Sequence, residues 1–126
     1  MTRRQRPTGT TAPEHGQAAV ELALAFPLLA VFLLAGVQLV VVGRDQLAVI
    51  HAAREGARAA AVSSSPGDGL GAARASTPLA VSVTVGSGGG VVRVTVTRRV
   101  PTDVPLVGPL LPDVTVRATA TMRLEP

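Results

Sequence analysis

The chain has 126 residues, 47% of them hydrophobic, but its only aromatics are two Phe, and Trp, Tyr and Cys are absent. Its net charge is +4, and all 12 of its basic residues are Arg. Without cysteine there can be no disulfide and no thiolate metal site, and without lysine there can be no phosphate-binding P-loop. The Arg residues are scattered among acids with no aromatic for a base to stack on, which argues against a nucleic-acid partner.

Residues 1–16 open the chain with Arg3, Arg4 and Arg6 among Pro and Thr and show no apolar periodicity. They read as a basic leader retained in the cytoplasm by the positive-inside rule. From Leu22 to Gly43 the only conventionally polar side chain is Gln38. At roughly 1.5 Å per residue this run crosses a ~30 Å hydrocarbon layer as one helix. It is too long for the apolar core of a cleavable secretory signal. The expected placement is a single-pass cell-membrane protein with a cytoplasmic N-terminus and an extracytoplasmic C-terminal domain.

Glu21 stands at the edge of this run, five residues after Gly16. A carboxylate at the centre of a bilayer helix costs about 2.5–3.5 kcal/mol, and less near the interface. The helix N-terminal dipole can hold it there; a more specific reading gives it a cation, the amino group that cutting between Gly16 and Gln17 would create. Further along, Pro27 removes a backbone donor and is expected to kink the helix. Ala19 and Ala23 form a small-xxx-small pair, and Gly36 adds another small residue, which would let helices approach closely in lipid.

Helical propensity continues past the membrane through Arg44 to Val62, giving one helix over residues 17–62. Ile50, Ala53, Ala57 and Ala61 share one face, and Arg44, His51, Glu55 and Arg58 the opposite one. His51 and Glu55, one turn apart, could hold half a metal site; a solvated face with Arg54, Glu55 and Arg58 pairing along the helix explains the same residues. No catalytic constellation emerges, and neither an enzyme nor a cofactor is expected. Ser63–Gly67 is a stop signal, and residues 63–78 read as a linker.

Residues 79–126 alternate as strands do. Val81, Val83 and Val85 face one way; Gly86–Gly90 makes a five-residue turn; Val92, Val94 and Val96 answer on the return strand. Residues 99–113, with Pro101, Pro105, Pro109 and Pro112 among Leu and Val, form a loop read either as a lid on the Val face or as a partner contact. The last strand runs from Val114 to Leu124. The predicted fold class is α+β: a long transmembrane-plus-amphipathic helix followed by a small three-stranded antiparallel sheet, with an exported β domain.

The phrase His51-Ala52-Ala53-Arg54-Glu55-Gly56-Ala57-Arg58-Ala59-Ala60 resembles the signature that follows the membrane helix in TadE-like proteins of the tight-adherence (Flp) pilus system. Gly16-Gln17-Ala18-Ala19-Val20-Glu21, followed by Phe26-Pro27, resembles the same family's opening and, more broadly, the type IV prepilin signal. The resemblance implies a pilin-like fold and a structural role as a pseudopilin or minor pilin in pilus assembly or secretion. It also implies a prepilin peptidase acting after Gly16 and hetero-oligomeric packing with other pilin-like subunits. Two positions depart from the pilin pattern: Leu22 stands where many major pilins carry an aromatic, and Gln17 is a polar first mature residue. The alternative is an uncleaved single-pass adaptor whose exported domain binds another envelope protein.

Overall fold

A computed structural model describes residues 14–105 and 108–125. The reading of residues 1–13 as a leader lies outside these, as does the part of the loop at Leu106 and Val107. The chain divides into two units, Met1–Leu34 and Ala35–Pro126.

The first unit, where described, is the N-terminal part of helix α1 (Glu14–Ser63). Pro27 lies inside α1, and the helical assignment runs through it unbroken. Leu22, Leu24, Phe26, Leu28, Leu29, Phe32 and Leu33 are all exposed. By length and composition α1 is apolar enough to cross a membrane.

In the second unit α1 continues to Ser63, and Ser64, at φ 54°, takes the left-handed conformation that ends it. The expected linker is corrected here, because Pro66–Ala75 is a second helix, α2. Pro66 suits a first turn, Asp68 and Arg74 complement the helix dipole at opposite ends, and the Ser76 amide closes the last turn on the Ala72 carbonyl. Gly67, Gly69 and Gly71 hide this helix from a propensity reading. One of them, Gly69, is buried by α1 and so helps to hold α2 in place.

Strands β1 (Ser82–Gly88), β2 (Val91–Val100) and β3 (Val114–Arg123) form an antiparallel sheet in the order β1-β2-β3. The fold is therefore α+β, a long N-terminal apolar helix followed by a small three-stranded sheet. The hairpin turn is tighter than the five residues expected. Gly86 and Gly88 continue the strand opposite Arg93 and Val91, leaving only Gly89 and Gly90 to turn. Both have positive φ, 60° and 76°, as a two-residue primed turn requires. Val83 pairs with Val96 and Val85 with Val94. On the other side of β2, Val92, Val94 and Val96 meet Met122, Ala120 and Ala118.

These Val residues pack on Val49, Ala52, Ala53, Ala57, Ala60 and Ala61 of α1 and Ala73 of α2. Among the described residues, valine is the largest fully buried side chain of the core. Thr95 and Thr119 bond to each other through their hydroxyls at 3.0 Å. Beyond β2, the loop closes on itself: the Thr102 amide and hydroxyl donate to Asp113 Oδ1 and the Pro112 carbonyl, and a short 3₁₀ turn spans Gly108–Leu110. Val104 in this loop is buried, whereas Leu111 is half exposed.

Candidate functional site

In the first unit the residues of the expected processing site, Gly16, Gln17 and Glu21, lie on consecutive turns of exposed helix. A Cβ at Gly16 would meet no atom within 4 Å, and Gln17 Nε2 donates to Glu21 Oε1 at 3.3 Å. Glu21 therefore has one neutral donor, an i,i+4 side chain, and no cation among the described residues. Ala19 and Ala23 are exposed one turn apart, and Gly36, in the second unit, likewise has open space where a Cβ would point. All three positions leave the helix surface free for close approach by another helix.

In the second unit Arg54, Glu55, Gly56 and Arg58 play different parts. Arg54 and Arg58 are exposed, and Glu55 is half-buried. The expected pairing of these charges along the helix is not found; the ion pairs among the described residues are Asp45–Arg98 and Asp113–Arg99. His51 is exposed, and no group of three metal-ligating side chains occurs among the described residues. Arg54 instead lines an open groove between α1 and β3, together with Gln46, Ile50, Arg117, Ala118 and Met122.

Gly56 is the residue of this phrase that the fold depends on. A Cβ there would sit 2.8 Å from both the Gly69 carbonyl oxygen and the Ala73 Cβ, and 3.1 Å from a Val94 methyl. Reciprocally, a Cβ at Gly69 would lie 2.6 Å from the Ala60 Cβ and 2.9 Å from the Gly56 carbonyl. The two helices cross backbone to backbone through this glycine pair.

The face of α1 that meets the sheet also begins earlier than the apolar alternation indicates. Gln38, Val42, Asp45 and Val49 follow one another at helical spacing, and all are withdrawn from solvent. Gln38 Nε2 donates to the Pro101 carbonyl at 3.0 Å. Asp45, 3% exposed, accepts from Arg98 Nε at 2.6 Å, and Arg98 Nη1 also donates to the Ala80 carbonyl. Gln46 Nε2 caps the Arg117 carbonyl, on the outer edge of β3. In sequence Asp45 stands beside Arg44 just past the apolar run, and only Arg44 of the two is exposed. The signal that separates them is the four-residue step from Asp45 to Val49, which places the acid on the buried stripe.

Residues 16–58 match the family model described as TadE-like protein. The matched segment, about a third of the chain, starts at Gly16 and ends at Arg58, so it takes in the expected processing edge and the charged phrase but none of the sheet. No curated protein and no solved structure gave a match to the chain.

Proposed function

From the TadE-like helix segment we infer that this chain is a pilus-assembly protein, a pseudopilin or minor pilin of a tight-adherence pilus, acting as a structural subunit. The family match over residues 16–58 carries this reading. The helix supports it, with an exposed apolar face all round from Leu22 to Leu33 and the Glu21 carboxylate at the edge of the apolar run.

The chemistry proposed at that edge is a peptide-bond cleavage between Gly16 and Gln17 by a membrane prepilin peptidase on the cytoplasmic side. The new α-amino group would be a cation one helical turn from Glu21, where Gln17 now offers only a neutral amide. A charge-assisted partner at that distance offsets the desolvation of a carboxylate better than an amide does. Ala19, Ala23 and Gly36 would receive the helices of other pilin-like subunits, and the sheet domain would face outward.

The decisive measurement is the intact mass of protein extracted from membranes of cells with an active prepilin peptidase. The expected N-terminus is Gln17, carrying the free α-amino group that the proposed partner of Glu21 requires. A chain that retains Met1 would instead support the uncleaved adaptor.

A further inference from the structure

We propose that the open groove between α1 and β3 receives an extended acidic segment of another protein, which joins the sheet there as a fourth strand. The whole groove lies in the second unit, so the inference is independent of cleavage at Gly16.

β3 is an edge of the sheet, and three bonds fix the direction of its backbone groups. The Leu124 amide donates to the Gly90 carbonyl, on the side of β2. The Arg117 carbonyl accepts from Gln46, and the Glu125 amide donates to the Ala61 carbonyl, both on the side of α1. Backbone groups alternate in direction along an antiparallel strand, so the odd-numbered residues of β3 turn theirs away from β2. Thr95 and Thr119, whose hydroxyls bond at 3.0 Å, agree with this as a close pair without backbone hydrogen bonds. Between Arg117 and Glu125 the N–H and C=O groups of Thr119, Thr121 and Arg123 therefore have no partner among the described residues. α1 runs beside this edge without covering it, and all three residues are exposed. Such a row of free donors and acceptors is a template for an added strand.

The lining of the groove sets the chemistry of that strand. On α1, Gln46, Ile50 and Arg54 follow at four-residue steps, and Arg117 and Met122 stand across from them. Ile50 and Met122 are half-buried and offer an apolar contact. Arg54 and Arg117 are exposed, the ion pairs among the described residues use neither, and no acid lines the groove. A complementary strand alternates apolar side chains with carboxylates. A second copy of this chain fits badly, because β3 carries Arg117 and Arg123 and no acid, and two such edges would set cation against cation.

The probe is a capped peptide alternating valine with glutamate, added to the full chain in detergent micelles while amide hydrogen exchange is followed by NMR. Exchange at Thr119 and Thr121 is expected to slow by about tenfold or more as the edge is paired. The Val85 amide, which the register turns outward at the β1 edge, should be unchanged. Arg54→Glu combined with Arg117→Glu should weaken binding by about tenfold or more and admit the valine–lysine counterpart, whereas Arg44→Glu, away from the groove, should bind as the parent does. Failure of the peptide to bind would overturn the proposal. Binding without slowed exchange at Thr119 and Thr121, or equal binding when every peptide nitrogen is methylated, would reduce the contact to surface charge and overturn the added strand. Equal protection of Val85 would show that any free strand edge serves, and would overturn the groove as the site. Protection of Thr119 and Thr121 without peptide, lost on dilution, would give the edge to a second copy and overturn the acidic partner.

Discussion

Asp45 and Arg98 are 53 positions apart in sequence, and they join the helix to the middle strand through a 2.6 Å ion pair whose two partners are unequally buried. The Asp45 side chain is 4% exposed and that of Arg98 19%. Removing either partner strands the other, and the penalty follows the burial of what remains. Arg98→Met leaves a carboxylate with almost no access to water and should cost about 3–5 kcal/mol. Asp45→Asn keeps an acceptor for the guanidinium, which can also reach solvent and the Ala80 carbonyl, so about 1–3 kcal/mol is expected. Denaturant titration in mild detergent, followed by circular dichroism of the sheet, would rank the two. Equal losses would mean that Arg98 is as poorly solvated as Asp45. At the other end of the helix Glu21→Gln tests a different property, because the neutral amide needs no cation. On the proposed pilus-assembly function, the variant should remain in the membrane and fail to co-purify with other pilin-like subunits; unchanged co-purification would reduce the carboxylate to an interfacial role.

The helix–helix crossing shows how elements of weak local preference are held in place. Three glycines in ten residues make α2 a poor helix by propensity, each costing up to about 1 kcal/mol relative to alanine. Its persistence depends on burying Gly69 and Ala73 against α1 and the sheet. Gly56→Ala and Gly69→Ala should each be destabilising by about 1–3 kcal/mol, since the atoms met are backbone oxygens and short Ala side chains that cannot swing aside. Gly71→Ala, on the same helix with nothing within 4 Å, should stabilise by about 0.5–1 kcal/mol. Opposite signs for Gly69 and Gly71 in thermal melts would separate close packing from propensity; the same sign for both would show that the crossing relaxes. The charged phrase around Arg54 and Arg58 thus owes its structural importance to the glycine between them. Its Arg residues remain exposed, available to whatever meets the groove beside β3.

At the scale of the whole molecule, the features legible in the sequence are those written as periodicity. The apolar run announced the long helix, and the Val alternation announced the three strands and their inward faces. Features that depend on residues distant in sequence were illegible: Asp45 with Arg98, Gln38 with Pro101, and Gly56 with Gly69. The hairpin was misjudged for a related reason, because Gly86 and Gly88 have no side chain to continue the alternation that their backbones do continue. The same distant contacts place the start of the compact unit at Ala35, inside the apolar run and well before its first charge. One helix therefore leaves apolar residues exposed at some positions and meets the sheet at others, with Gln38, Val42 and Asp45 turned to the protein. A core in which, among the described residues, nothing larger than valine is fully buried leaves little reserve, since domains of this size sit low in the usual range of about 5–15 kcal/mol. A chain begun at Ala35 keeps every contact of that stripe and should show a cooperative unfolding transition in mild detergent. A chain begun at Gln46 loses Asp45, Val42 and Gln38, leaves Arg98 unpaired, and should lose the cooperative transition and much of its strand signal. Matching transitions in the two truncations would mean that the sheet and α2 are stable on the second half of the helix alone, making Gln38 and Asp45 dispensable for folding.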